Sequence, residues 1–195
     1  NIAGSHIGHP KSYFSPYRNR NLENGPEGEY LMDRLALEAI DYLRKVDKNK
    51  PFFLYYATYA VHTPLQAKAD LIEKYRNKPS TSAHDNPVYA AMVEDMDRNV
   101  GRVLDEVRAL GIEENTFIVF TSDNGGVYGI SRQWPLRAGK GSFYEGGIRI
   151  PMVIYQKGKF EKREISNIPV IQLDLFPTFL EIAGVQRPDL LLDGV

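Results

Sequence analysis

Residues 116–126 read Thr116-Phe117-Ile118-Val119-Phe120-Thr121-Ser122-Asp123-Asn124-Gly125-Gly126. A short run of β-branched and aromatic residues that breaks into polar and glycine residues predicts a strand buried on both faces. Its carboxyl end carries a carboxylate and a carboxamide side by side. Two other runs have the same character: Phe52-Phe53-Leu54-Tyr55-Tyr56-Ala57 behind Pro51, and the stretch from Ile148 to Tyr155 with Pro151 near its start. Strands are therefore expected at about 52–57, 116–121 and 151–155, in one sheet.

Helices fill the spaces between these runs. From 29 to 48, Leu31, Leu35, Ala39, Ile40, Leu43 and Val46 recur at three- and four-residue spacings, the mark of one buried face. A longer stripe of Tyr89, Met92, Val93, Met96, Val100, Val103, Leu104 and Val107 predicts a helix over 86–110, stopped by Gly111. A last helix is predicted over 174–183, with Asp174 able to cap and Pro177 tolerated in its first turn. Residues 1–28, rich in Gly, Pro, Asn, Ser and Tyr without sustained periodicity, read as an extended surface loop. This rhythm belongs to the α/β class, a mostly parallel sheet sandwiched by helices. In such sheets ligands sit beyond the carboxyl ends of the strands.

Composition narrows the function classes. Across 195 residues, 43% hydrophobic and 25% charged with a formal net charge of −1 is ordinary for a globular domain. The balance gives no support to a nucleic-acid-binding surface, which needs a basic patch. There is no cysteine, so disulfides, thiolate metal sites and a cysteine nucleophile are excluded within these residues. No apolar run approaches the roughly 20 residues that cross a bilayer. The beginning, Asn1-Ile2-Ala3-Gly4, reads as mid-protein, and both ends are expected to be cuts.

Four residues carry candidate chemistry. His62 lies in Thr58-Tyr59-Ala60-Val61-His62-Thr63-Pro64, just past the first expected strand, and is either a site residue or a histidine satisfied by backbone carbonyls beside a proline turn. Asp123 and Asn124 offer hard oxygen ligands suited to calcium or magnesium, although Asp-Asn-Gly also ends strands for conformational reasons alone. Lys140 stands among glycines in Arg137-Ala138-Gly139-Lys140-Gly141-Ser142. That stretch is not a phosphate loop, since Trp134 replaces its first glycine and Gly141 the magnesium-binding hydroxyl residue. It remains a cation in flexible backbone, suited to a tetrahedral oxyanion.

Taken in order, these segments resemble the type I sulfatases of the alkaline phosphatase superfamily. The likeness rests on Ala60-Val61-His62-Thr63-Pro64, Thr121-Ser122-Asp123-Asn124-Gly125, Gly139-Lys140-Gly141-Ser142, Tyr144-Glu145-Gly146-Gly147-Ile148-Arg149-Ile150-Pro151, Asp174-Leu175-Phe176-Pro177-Thr178 and Leu192-Asp193-Gly194. Tyr13-Phe14-Ser15-Pro16-Tyr17 and Gly25-Pro26-Glu27-Gly28-Glu29-Tyr30 are similar to the arylsulfatase A and N-acetylgalactosamine-6-sulfatase branch. The resemblance implies an incomplete alkaline phosphatase-like domain over 1–195, in which earlier strands and a C-terminal subdomain lie outside the chain. It further implies hydrolysis of sulfate monoesters, plausible substrates being sulfated small molecules or glycans. Asp123 and Asn124 would be ligands of Ca2+ (or Mg2+). Lys140 would hold the sulfate, and His62 would hydrogen-bond the sulfate or its leaving oxygen. A periplasmic or secreted location goes with the family.

Departures accompany the likeness. The family nucleophile is a formylglycine made from Cys or Ser in a C/S-x-P-x-R motif. Only Phe14-Ser15-Pro16-Tyr17-Arg18 has that spacing, with Phe14 in the nucleophile's place, so the nucleophile is expected outside this chain. The early Asp-Asp pair and the later Lys-x-His segment are likewise not here. Two other readings stay open, a phosphoryl hydrolase of the same superfamily and a non-catalytic sugar-binding or scaffold protein on this fold. The sulfatase reading expects His62, Asp123, Asn124 and Lys140 at one cleft. The Tyr-rich opening with His6, His9, Tyr13 and Tyr17, and the loop from Tyr128 to Arg137 with Trp134, are the candidates for substrate choice.

Overall fold

The computed structural model describes residues 11–19, 21–79, 85–160, 164–186 and 188–195. Helix α1 spans Leu31–Lys45 and α3 spans Pro87–Ala109, close to the bounds their apolar stripes set. Asn86 caps α3: its side-chain oxygen accepts from the N–H groups of Val88 and Tyr89, and Pro87 follows where no donor is needed. Gly111 takes a left-handed φ of 69° just past the end. The two helices bury Ala36, Ala39, Ile40 and Leu43 of α1 against Val103 and Val107 of α3. At the rim of that seam the Arg44 guanidinium donates twice to the Glu106 carboxylate, at 2.8 and 2.7 Å. A further helix, α2 over Ala69–Arg76, packs on α3 through buried Leu71. Its eight residues are too few and too polar to register as a periodic stripe.

The opening loop departs from the expectation of a surface segment. Its irregular backbone holds, but Tyr13, Tyr17 and Leu22 are buried in the core with Tyr30, Leu31, Met32 and Met92. The phenol hydroxyls make this feasible, because each ring buries its apolar body while the oxygen bonds a polar partner, as in Tyr17 to the Glu29 carboxylate at 2.8 Å. The Phe14–Arg18 stretch that mimics the nucleophile motif is part of this packing. The Phe14 ring meets Tyr30 at 5.1 Å, and the Ser15 hydroxyl donates to the Gly25 carbonyl. His6 and His9 lie outside the described residues.

Strand β1 is Ile118–Thr121 and β2 is Met152–Tyr155. They pair in the register Ile118 with Tyr155, Val119 with Ile154, Phe120 with Val153 and Thr121 with Met152. The pair is antiparallel, whereas the sequence reading favoured a mostly parallel sheet. The reason is the connection: a loop and one short helical turn, α4 over Glu145–Ile148, return the chain at the same end, and a parallel pair would need a full crossover. The run 52–57 joins no ladder among the described residues. It keeps the period of two of a strand, with Phe52, Leu54 and Tyr56 packed on the α1–α3 seam while Phe53 and Tyr55 are 68% and 70% exposed. Helix α5, Leu175–Ile182, ties this run to the residue just before β1, since the Phe179 ring meets both Phe53 and Phe117 edge-on, at 5.7 and 6.4 Å. Asp174 precedes α5 as expected but does not cap it. Its carboxylate accepts from the N–H groups of Ile171 and Val195 instead, which holds it below the ordinary carboxylate range.

Candidate active site

β1 delivers Ser122-Asp123-Asn124 to the end of the sheet, and the chain then folds into a knot of glycines. The Gly125 N–H donates to the Gly147 carbonyl at 2.9 Å, the Lys140 N–H to the Gly126 carbonyl at 2.9 Å, and the Gly146 N–H to the Arg137 carbonyl at 2.9 Å. These crossings are too close for side chains. A Cβ on Gly125 would overlap the Gly146 carbonyl, and one on Gly146 would overlap the carbonyl of Ala138. The sequence motifs around 121–126 and 137–147 are thus two halves of one backbone structure, and it brings Lys140 beside the Asp123-Asn124 turn.

Within that turn the Asp123 Oδ1 accepts from the Asn124 N–H at 2.9 Å, and the Asn124 Nδ2 donates to the Gly125 carbonyl at 3.0 Å. The amide nitrogen of Asn124 is thereby committed to backbone, so its Oδ1 is directed the other way. Asp123 and Lys140 are exposed and Asn124 half-buried. Two hard oxygens from adjacent residues fit part of the coordination sphere of Ca2+ or Mg2+. Among the described residues no group of three or more His, Cys, Asp or Glu is placed to hold a metal ion, so a cation at this turn would need further ligands beyond Asp123 and Asn124.

His62 is carried by a different stretch. The turn from Tyr59 to His62 closes with the His62 N–H donating to the Tyr59 carbonyl at 2.9 Å. The ring is oriented by its own loop, because Nδ1 lies 2.9 Å from the Thr63 carbonyl, which can only accept. Nδ1 therefore carries the proton in that bond, and the Nε2 edge points away from it.

Tyr13, which the sequence reading assigned to substrate choice, instead holds this loop from the core, together with Tyr30 and Gln66, which it did not single out for the site. The Tyr13 hydroxyl lies 2.8 Å from the Tyr59 carbonyl and 2.9 Å from the His62 carbonyl. The Tyr13 N–H donates to Gln66 Oε1, and the Tyr30 hydroxyl to the Gln66 carbonyl. One step on, Lys68 Nζ pairs with Asp33 at 2.7 Å and with fully buried Asp95 at 2.8 Å, and Asn99 donates to both carboxylates. The density of tyrosines in the opening was the available signal, but it pointed equally to sugar contact.

Near Lys140 the aromatic residues stand outward. Trp134 is 83% and Tyr128 77% exposed, and the Arg137 guanidinium lies 3.8 Å over the Tyr144 ring.

Comparison with known proteins places the chain in a family. The family model described as Sulfatase matches residues 5–185. A sulfatase of Formosa agariphila is 37% identical over 188 residues, covering 89% of this chain and 34% of that protein. Human N-acetylgalactosamine-6-sulfatase is 29% identical over 97% of this chain and 40% of its own length. Among solved structures, Ps i-CgsB in complex with k-i-k-neocarrahexaose is 39% identical with a TM-score of 0.80, covering 90% of this chain and 39% of that one. The chain thus spans between a third and two fifths of the length of these three relatives. The match of the family model over residues 5–185 makes this chain a member of the sulfatase family.

Proposed function

We propose that the protein carrying this chain hydrolyses sulfate monoesters on sulfated carbohydrate, with Lys140 and His62 at the reacting group and Asp123 and Asn124 as ligands of a divalent cation. The observation that carries the reading is the Lys140–Gly126 backbone bond, which ties the family's lysine segment to the turn bearing two hard oxygens. The carbohydrate class follows the name of one relative, N-acetylgalactosamine-6-sulfatase, and the neocarrahexaose in complex with the similar solved structure.

Cleaving a sulfate ester moves negative charge onto the leaving oxygen and keeps the equatorial oxygens charged. Fixed positive charge and donors near those atoms therefore lower the barrier more than they stabilise the ground state. The Lys140 ammonium, on backbone clamped by the glycine crossings, is a cation for the sulfate oxygens. His62, with Nδ1 bonded to its own loop, presents Nε2 to the leaving oxygen. Bound Ca2+ or Mg2+ would add Lewis-acid neutralisation of a sulfate oxygen, held in part by Asp123 and Asn124. The nucleophile in this reading is a formylglycine outside these residues. Exposed Trp134 and Tyr128 offer apolar faces on which a sugar ring can stack.

The test is sulfate release by the full-length enzyme from an aryl sulfate and from sulfated oligosaccharides, with the matching aryl phosphate as comparator. Turnover on sulfate exceeding that on phosphate supports the proposal. Preference for phosphate makes the protein a phosphoryl hydrolase of the same superfamily, and no turnover on either with sugar binding retained makes it a binding protein.

A further inference from the structure

We propose that Tyr13 is a positioning residue for His62, its single hydroxyl fixing the turn that carries the histidine. This rests on the reading above that His62 acts at the sulfate ester. Tyr13 is completely buried, and its oxygen reaches both ends of the turn, the carbonyls of Tyr59 and His62, at 2.8 and 2.9 Å. The same turn is closed internally by the His62 N–H on Tyr59. A hydroxyl has one proton, so these two acceptors share one donor, and the oxygen stays equidistant only while the turn keeps its shape.

Tyr13 is itself immobilised from every side. Its carbonyl accepts from the Leu31 N–H at 2.7 Å, which roots it at the start of α1. Its N–H reaches Gln66 Oε1 at 2.7 Å, and its ring stacks on Tyr30 at 5.9 Å, whose hydroxyl holds the Gln66 carbonyl. The loop from 59 to 66 is therefore gripped at both its histidine end and its far end by one stacked tyrosine pair. Burial keeps the Tyr13 phenol far above the ordinary phenol range, so it remains a donor throughout the pH range of catalysis. An exposed histidine on a loop has many orientations available, and placing its ring within hydrogen-bond reach of a leaving oxygen requires that its backbone be held.

The experiment is a double-mutant cycle in the full-length enzyme with Tyr13→Phe, His62→Ala and the double variant, measured on aryl sulfates of graded leaving-group acidity. Phenylalanine keeps the ring and its stacking and removes only the hydroxyl. The expected result is a fall in kcat of roughly 10- to 100-fold for Tyr13→Phe with KM little changed, steepest for the poorest leaving groups. The double variant is expected to be no slower than His62→Ala. Wild-type kcat in Tyr13→Phe, or losses that multiply in the double variant, would overturn the inference while leaving the role of His62 standing. Wild-type kcat in His62→Ala overturns the underlying reading instead. If Tyr13→Phe does not accumulate as folded enzyme, Gln66→Ala, which removes the acceptor of the Tyr13 N–H, is run through the same cycle with the same outcomes.

Discussion

The backbone N–H of Lys140 donates to the carbonyl of Gly126 across 2.9 Å, joining two segments that are fourteen residues apart in the chain. Lys140 is exposed, so its ammonium reaches into solvent from a backbone that cannot drift. At Gly125, Gly139, Gly146 and Gly147 backbone carbonyl oxygens occupy the space a side chain would need. The crossing thus fixes where the lysine leaves the backbone, while its exposed four-carbon stem keeps its rotamer freedom.

The knot can be tested directly. Gly146→Ala puts a methyl against the carbonyls of Arg137 and Ala138, which are backbone and cannot swing aside. A loss of about 1–3 kcal/mol of stability is expected, together with most of the activity. Gly101→Ala, in the middle of α3 with nothing within 4 Å of the added methyl, is the control and should gain about 0.5–1 kcal/mol. Chemical denaturation of the two variants checks both signs; equal effects would mean that the crossings are not tight.

Lys140→Ala should leave the fold intact and fall on kcat, by roughly 10²- to 10³-fold if the ammonium acts as an oxyanion donor does. Steady-state kinetics on an aryl sulfate decides it, and near wild-type turnover rejects the role given to this lysine.

Asp123→Ala should behave differently, because it removes a hard ligand rather than a charge on the substrate. Activity is expected to fall with metal affinity and to recover in part as calcium is raised. A calcium titration of activity, paired with calcium binding by calorimetry, separates this from a loss that no calcium concentration restores.

Lys68 is the cation of a largely buried group, and Lys68→Met leaves fully buried Asp95 with Asn99 but without its ion pair. A loss of about 3 kcal/mol or more is expected in the thermal or denaturant midpoint. Loss of under 1 kcal/mol would show that the amide bonds of Asn99 suffice for the carboxylate.

Stability should also decline on the alkaline side. Burial depresses the Lys68 ammonium, but the carboxylates of Asp33 and Asp95 together outweigh it and raise its pKa above the ordinary 10.5. Burial raises the phenols of Tyr13, Tyr17 and Tyr30 above 10.0 and pushes Tyr56 up to about 12. A group whose folded pKa exceeds its unfolded value contributes in full below the unfolded value and loses that contribution as pH rises through the folded one. Melting temperature is therefore expected to hold steady up to about pH 10 and to fall beyond it, with tyrosine ionisation followed by absorbance lagging that of free tyrosine.

Much of this molecule is local and was legible in the residues alone. The helices 29–48 and 86–110 appear as α1 and α3 within a few residues, because helical hydrogen bonds close four residues apart and both stripe and cap are written in contiguous sequence. The glycines around Lys140 and the polar break after β1 were equally visible, since a close backbone crossing leaves no residue but glycine available. Tertiary structure decided the rest. Tyr13 and Tyr17 look like surface residues until α1 supplies a core for their rings, and the 59–62 turn and Glu29 supply acceptors for their hydroxyls. The run 52–57 has a strand's alternation, but a strand needs partners, and its packing face went to the α1–α3 seam. The antiparallel sense of β1 and β2 and the grip of Tyr13 on the His62 turn join residues tens of positions apart, where only the folded chain fixes which backbone group meets which.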